Sequence, residues 1–256
     1  MDRMSKMKKI ILNGCFGRMG KVITEIADAS DKCKICSGVD AFASIPADFP
    51  VYKNIKEVKE NADVIIDFSN PAALDDLLDF ATAKKIPLVL ATTGFSEEQI
   101  KKINAASKII PVFFTFNMSL GINLLTALSR RAAQVLGNDF DIEIIEKHHN
   151  QKLDAPSGTA IMLANSINQV FGDNLQYEYD RHSRRMIRPK NEIGIHSVRG
   201  GTIVGEHEVI FAGKDEIITL SHSASSRNVF ASGAVRAALF LSNKAPGIYD
   251  MNMMIE

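Results

Sequence analysis

The chain has 256 residues, of which 46% are apolar, and carries 30 Lys and Arg against 30 Asp and Glu. That apolar fraction supplies a buried core for one large or two modest domains, and the balanced charge gives no long-range attraction to nucleic acid or to an anionic membrane. Any anionic ligand must therefore be gripped by a local cluster of cations and amides.

The basic N-terminus precedes an apolar run, Ile10 to Leu12, that is too short for a secretory leader. No later stretch reaches the roughly eighteen apolar residues of a membrane span, so a cytoplasmic protein is expected. Three cysteines are too few for a disulfide framework. Cys33 and Cys36 form the only CxxC, and they fall in an apparent strand where positions three apart point to opposite faces. Small buried side chains are expected there, not a shared metal or disulfide.

The first 116 residues alternate short apolar runs with helix-like stretches. Lys9–Asn13 reads as a strand, Arg18–Ala29 as a helix and Ile35–Val39 as a second strand. Then follow "DVIIDFS" (strand), "PAALDDLLDFATAKK" (helix opened by Pro71), "IPLVLATT" (strand), "SEEQIKKINAASK" (helix with Ser96 as N-cap) and "IIPVFFTF" (strand). Such alternation predicts an α/β fold, a parallel sheet with helices on both faces.

After Asn117 the pattern changes. A helix from about Gly121 to Leu136 leads into "FDIEIIEKHH", a partly alternating strand, and then into a helix from about Gly158 to Phe171. From Ile193 to Ser223 come several β-rich runs between Gly-containing turns, which predict a second, more open and mixed sheet. A last helix, roughly Val229 to Leu241, returns to the first domain, and nothing there continues the strand run. The expected division is 1–118, completed by 228–256, as a dinucleotide-binding domain, and 119–227 as a substrate-binding and oligomerisation domain.

"ILNGCFGRMGKV" places Gly14, Gly17 and Gly20 at the first strand-to-helix junction. This GxxGxxG spacing is a relative of the dinucleotide fingerprint, in which glycines let backbone approach a pyrophosphate at the positive end of a helix. Asp40, twenty residues beyond Gly20 at the end of the second strand, is placed to bond a ribose hydroxyl pair. Two further strand ends, "ATTGF" at Ala91–Phe95 and "TFNMSLG" at Thr115–Gly121, emerge on the same carboxyl side of the sheet.

"KHHNQKLDAPSGTA", Lys147 to Ala160, is open to three readings: surface decoration, a metal site, or an anion trap beside a proton donor. Adjacent His148 and His149 on a strand point to opposite sides, which argues against shared metal. The stretch from Ala155 reads as a helix entrance, where Gly158 and Thr159 offer backbone amides and Ser157 and Thr159 their hydroxyls. Lys152 and one histidine add positive charge and a transferable proton, which suits a carboxylate substrate undergoing protonation. Arg227, where the β-rich region gives way to helix, is the right type of residue to hold a carboxylate with two parallel hydrogen bonds.

Together, "GCFGRMG", "ATTGFS", "EKHHNQKLDAPSGTA", "GGTIVGEHEVIFAG" and "SASSRNVFASGAVRAALFL" resemble the successive motifs of the 4-hydroxy-tetrahydrodipicolinate (dihydrodipicolinate) reductase family of lysine and diaminopimelate biosynthesis. The resemblance implies a Rossmann-type nucleotide domain plus an α+β substrate domain with a mixed sheet, and a cytoplasmic homotetramer assembled through that sheet. It implies hydride transfer from NADH or NADPH to a cyclic imine carrying two carboxylates, with His148 and Lys152 as acid residues. His149, Ser157, Gly158, Thr159 and Arg227 would hold the dicarboxylate. The nucleotide would lie on Gly14, Cys15, Phe16, Gly17, Arg18 and Met19, on Asp40, on Ala91, Thr92 and Thr93, and on Thr115, Phe116, Asn117 and Met118. Ala91 and Met118 depart from the family's Gly-Thr-Thr and Asn-Phe-Ser at those two stretches.

Asp40 is followed by Ala41, Phe42, Ala43 and Ser44, with no cation to meet a 2′-phosphate, so NADH is expected to serve at least as well as NADPH, unless Arg18 or a lysine such as Lys53 folds in. Two other readings share parts of this pattern. A dehydrogenase of an aspartate-like acid would have the nucleotide domain without the histidine and lysine cluster. A redox-sensing regulator would need a DNA-binding element, and the sequence has no basic helix pair and no charge excess.

Overall fold

A computed structural model describes residues 7–42, 46–115 and 117–255. Phe116, expected on the nucleotide, and Ala43 and Ser44, read as part of a cation-free segment, lie outside the described residues. The chain divides into two compact units, Met1–Leu120 with Asn228–Glu256, and Gly121–Arg227.

In the larger unit the chain runs β1 (Lys8–Asn13), α1 (Arg18–Asp28), β2 (Cys33–Val39), β3 (Val51–Tyr52), β4 (Val64–Asp67), α2 (Leu74–Lys84), β5 (Leu88–Leu90), α3 (Glu97–Ala106) and β6 (Pro111–Phe114). The smaller unit holds α4 (Leu120–Leu136, beginning at the boundary), β7 (Asp141–His148), α5 (Gly158–Asn168), β8 (Gln176–Glu178), β9 (Glu192–Arg199), β10 (Glu206–Ala212) and β11 (Ile217–Ser223). The chain then returns to the larger unit through α6 (Asn228–Leu241), β12 (Gly247–Tyr249) and α7 (Asn252–Ile255).

The seven strands of the larger sheet are ordered β12-β6-β5-β4-β1-β2-β3, and every pairing is parallel. Its central strands are apolar on both faces because helices cover both. Ile10, Leu12, Val64 and Ile66 pack on one side with Ile23 of α1 and Ala234 and Ala238 of α6. Ile11, Ile65, Leu88 and Leu90 pack on the other with Leu77 of α2 and Ile103 of α3. Cys33 belongs to the first core and Cys36 packs against the second, as their spacing in a strand requires.

Two boundaries shift and one strand is added relative to the sequence expectations. Pro71 opens a 3-10 turn, Pro71–Ala73, and α2 begins after it. The helix expected to reach Phe171 is α-helical to Asn168 and tightens to a 3-10 turn over Gln169–Phe171. Beyond α6 a short strand that the sequence reading did not name, β12, adds parallel to β6 and completes the edge of the larger sheet. Ser96 caps α3 through a capping box with Gln99, as its position before the acidic first turn suggested.

The smaller sheet is mixed, ordered β11-β10-β7-β9-β8, with β10 antiparallel to β7 and β11, and β7, β9 and β8 parallel. Strand β10 alternates strictly between half-buried and buried positions, and β7 does so as far as Lys147. Ile142, Ile144, Val209 and Phe211 face α4 and α5, where they meet Leu125, Leu163 and Ile167. Full burial of each such side chain contributes about 1.5–3 kcal/mol.

Candidate active site

In the larger unit the ends of β1, β2 and β4 converge on the glycine turn. Gly14 has φ +83°, and a Cβ there would stand 2.4 Å from the Phe68 carbonyl oxygen, so only glycine fits. Gly17 is the N-cap of α1, which has no side-chain cap and no acidic residue in its first turn. That leaves a helix N-terminus suited to an anion, and the turn fits a dinucleotide pyrophosphate.

Asp40 faces this turn. Its carboxylate accepts the Phe16 amide at 3.0 Å and the Phe42 amide at 3.1 Å, so it shapes the loop as well as lining it. Gly14, Gly17 and Asp40 line one cavity together with Lys53. Lys53 is brought there by the pairing of β2 with β3, since the Asp40 amide donates to the Tyr52 carbonyl at 2.9 Å.

A second cavity is lined by Arg18 and Met19, by Ala91, Thr92 and Thr93, and by Thr115, Asn117 and Met118. Cys15 turns its side chain away from the surface. Its side chain is 2% exposed within the core, and burial followed by the Asp40 charge pushes its thiol up to about 11, so only its backbone faces the turn. The Phe16 amide is likewise already committed to Asp40.

Beneath the turn lies a network the sequence reading missed. Asp67, 1% exposed at the end of β4, accepts Asn13 Nδ2 at 2.8 Å and Ser69 Oγ at 2.6 Å, while the Ser69 amide donates to Thr92 Oγ1 at 3.0 Å. Burial raises the Asp67 pKa against these hydrogen bonds. Ser69 lines both cavities, so the network supports the floor of each.

In the smaller unit, His148 ends β7 and Lys152 lies in the loop after it, its ammonium 2.8 Å from Asp154 Oδ1. Burial draws the His148 imidazole below the ordinary histidine value, against the opposing pull of Glu146. His149 Nε2 and Arg227 Nη2, 78 residues apart in sequence, stand 3.2 Å from each other. Gly158 and Thr159 form the first turn of α5, with Gly158 exposed and Thr159 half-buried.

Ser157 is the N-cap of α5. Its side chain is 1% exposed, its Oγ accepts the Ala160 amide at 3.1 Å and meets His207 Nε2 at 3.0 Å, and its own amide donates to Glu146 at 3.0 Å. Both polar groups are engaged inside the fold, where Ser157 builds the helix entrance.

Glu146, Arg199 and His207 were not singled out in the sequence. A signal existed, because alternation puts Glu146 on the same face as Ile142 and Ile144, and His207 on the face of Val209 and Phe211. A charged or titratable residue in an inward strand position needs partners. Glu146 has them: Arg199 Nη1 at 2.8 Å and Nη2 at 2.7 Å, and His148 Nδ1 at 2.6 Å. Burial opposes its ionisation, but the Arg199 and His148 hydrogen bonds prevail and hold its pKa at about 2.

Comparison with known proteins agrees across the chain. Residues 8–118 match the family description "Dihydrodipicolinate reductase, N-terminus" and residues 121–255 match "Dihydrodipicolinate reductase, C-terminus". The chain is 54% identical over 250 residues to the 4-hydroxy-tetrahydrodipicolinate reductase of Caldanaerobacter subterraneus subsp. tengcongensis, covering 98% of this chain and 99% of the relative. It is 48% identical over 250 residues to that of Clostridium novyi, covering 98% and 99%. Among solved structures it is similar to a dipicolinate-bound dihydrodipicolinate reductase from Paenisporosarcina sp. TG-14, with TM-score 0.82 and 25% identity over 97% of this chain and 100% of that one. A myo-inositol dehydrogenase from Corynebacterium glutamicum, at TM-score 0.61 and 16% identity over 94% and 90%, shares the fold.

Proposed function

Because the chain belongs to the dihydrodipicolinate reductase family, we propose that it reduces the cyclic imine of 4-hydroxy-tetrahydrodipicolinate or dihydrodipicolinate to tetrahydrodipicolinate with NADH or NADPH. The observation that carries the reading is the gathering of His148, Lys152, the His149–Arg227 pair and the N-terminus of α5 within the smaller unit. Two cationic elements and a helix entrance suit a substrate with two carboxylates, and the relative solved with dipicolinate is a reductase of the same family.

A reduced nicotinamide supplies the hydride, and the chain's residues supply position and protons. The α1 turn and Asp40 would hold the nucleotide. Arg227, His149 and the Gly158-Thr159 turn would orient the dicarboxylate. His148 and Lys152 would deliver the proton that quenches charge building on the ring. Lys53 stands in the Asp40 cavity, so a 2′-phosphate has one cation within reach, while Asp40 opposes it; NADH is expected to serve at least as well as NADPH.

The outer face of the smaller sheet is proposed as the assembly surface of a homotetramer. Helices α4 and α5 pack on the other face, and Val198 and Ile217 are 44% and 67% exposed. No helix among the described residues is long and apolar enough to cross a membrane, and a biosynthetic reductase drawing on the reduced nicotinamide pool is assigned to the cytoplasm. The deciding experiment mixes the chain with pyruvate, aspartate semialdehyde and the synthase that condenses them, and follows loss of NADH absorbance. Turnover that requires every component supports the activity; NADH loss without the synthase, or none with it, refutes it.

A further inference from the structure

We propose that Glu146 is the positioning residue of this site, a single buried carboxylate that fixes both the imidazole of His148 and the entrance of helix α5. The inference rests on His148 acting in proton transfer and adds what makes that imidazole competent.

The Glu146 side chain is fully buried. Its neighbours on the same face of β7, Ile142 and Ile144, are apolar, and a third apolar residue would complete that core at no electrostatic cost. The two carboxylate oxygens are instead divided. Oε2 meets His148 Nδ1 at 2.6 Å and Arg199 Nη1 at 2.8 Å. Oε1 accepts Arg199 Nη2 at 2.7 Å and the Ser157 amide at 3.0 Å.

An ionised carboxylate only accepts, so Nδ1 of His148 must be the protonated nitrogen, and Nε2 is the one left to exchange a proton. Space beside Nε2 is kept by Gly205, where a Cβ would stand 3.1 Å from that nitrogen. The other oxygen ties the carboxylate to Ser157, the N-cap of α5, so imidazole and helix entrance are set by one rigid group. Arg199 on β9 neutralises the buried charge and reaches on to the Asp154 carbonyl at 2.6 Å, at the end of the Lys152 loop.

The charged and titratable groups facing the Glu146–His148 pair are Arg199 from β9, His207 from β10, His222 beyond it on β11, and Lys152 and Asp154 from the loop. Glu146 is bonded directly to the imidazole at Nδ1, so its removal has a distinct signature.

The test compares Glu146→Gln, His148→Gln and the double variant in the synthase-coupled assay, with the pH profile of kcat, calorimetry of pyridine-2,6-dicarboxylate and thermal unfolding. Glutamine keeps the shape but cannot accept at both oxygens. Glu146→Gln should lower kcat at least about tenfold and move the limb governed by His148 to lower pH, since the carboxylate raises that imidazole's pKa. It should also weaken dicarboxylate binding more than His148→Gln does, through Ser157. In the double variant kcat should lie within about twofold of His148→Gln alone, because both changes remove one function.

Unchanged kcat and pH profile in a folded Glu146→Gln, beside a large loss in His148→Gln, would overturn the proposal alone. Losses that multiply in the double variant would overturn it as well. A His148→Gln variant as fast as wild type would overturn the assignment of His148, and this proposal with it. If Glu146→Gln does not fold, Glu146→Asp, which keeps the charge but shortens the reach, carries the same comparison.

Discussion

Ser157 Oγ and His207 Nε2 stand 3.0 Å apart on the inner face of the smaller sheet, and the serine oxygen already accepts the Ala160 amide. Burial, then the nearby His148 charge, push the His207 pKa down to about 4. Between about pH 6.5 and pH 4 the unfolded chain binds a proton that the folded one refuses, so stability is lost as pH falls through this window. His148 and His222, also lowered by burial, add slopes of the same sign. Thermal unfolding across this range should show a falling Tm with a shallower slope in His207→Gln. An identical slope would remove His207 as a contributor.

Lys152→Met keeps the stem and removes the proton and charge. If the lysine takes part in proton delivery, kcat should fall by roughly 10² to 10⁴ with nucleotide affinity nearly unchanged. Stopped-flow reduction and nucleotide fluorescence titration measure the two separately. A kcat within about threefold of wild type would remove Lys152 from the mechanism.

Arg227→Ala and Thr159→Val address carboxylate binding. The guanidinium next to His149 and the first turn of α5 should each contribute to KM, so each change should raise it and weaken pyridine-2,6-dicarboxylate, measured by calorimetry on the enzyme–nucleotide complex. Unchanged affinity in both variants would leave these residues with structural roles only.

Cofactor choice turns on Asp40 and Lys53 in one cavity. NADH should match or exceed NADPH in kcat/KM at fixed ionic strength, and Lys53→Gln should lower NADPH efficiency more than NADH efficiency. A preference for NADPH above about tenfold, roughly 1.4 kcal/mol, would show that a cation overrides Asp40.

Gly20 tests the turn itself. A Cβ there would stand 2.2 Å from the Gly14 carbonyl oxygen and 2.5 Å from that of Cys15, and neither backbone atom can swing aside. Gly20→Ala should destabilise the larger unit by about 1–3 kcal/mol and weaken nucleotide binding. A variant with wild-type Tm and nucleotide Kd would mean that the turn adjusts freely.

What the sequence alone determined is what is written within about ten residues. Short apolar runs placed β1, β2, β4, β5 and β6, apolar periodicity with Ser96 as cap placed α3, and Gly14, Gly17 and Gly20 marked the turn where α1 begins. The histidine and lysine motif drew attention to the end of β7 where His148 meets Glu146. Tertiary structure alone decided the rest. Strands β3, β8 and β12 are two or three residues long and carry no period of their own; they exist at the sheet edges because β2, β9 and β6 beside them supply hydrogen bonds. Ser157, read as offering its hydroxyl to an anion, meets Ala160, Glu146 and His207 inside the fold. Glu146 meets Arg199 53 residues away, and Ser157 meets His207 50 residues away, only because β7 lies between β10 and β9. Local spacing fixes which face a side chain takes, whereas the partner that satisfies a buried charge depends on strand order, and that order is set by how distant apolar faces pack together.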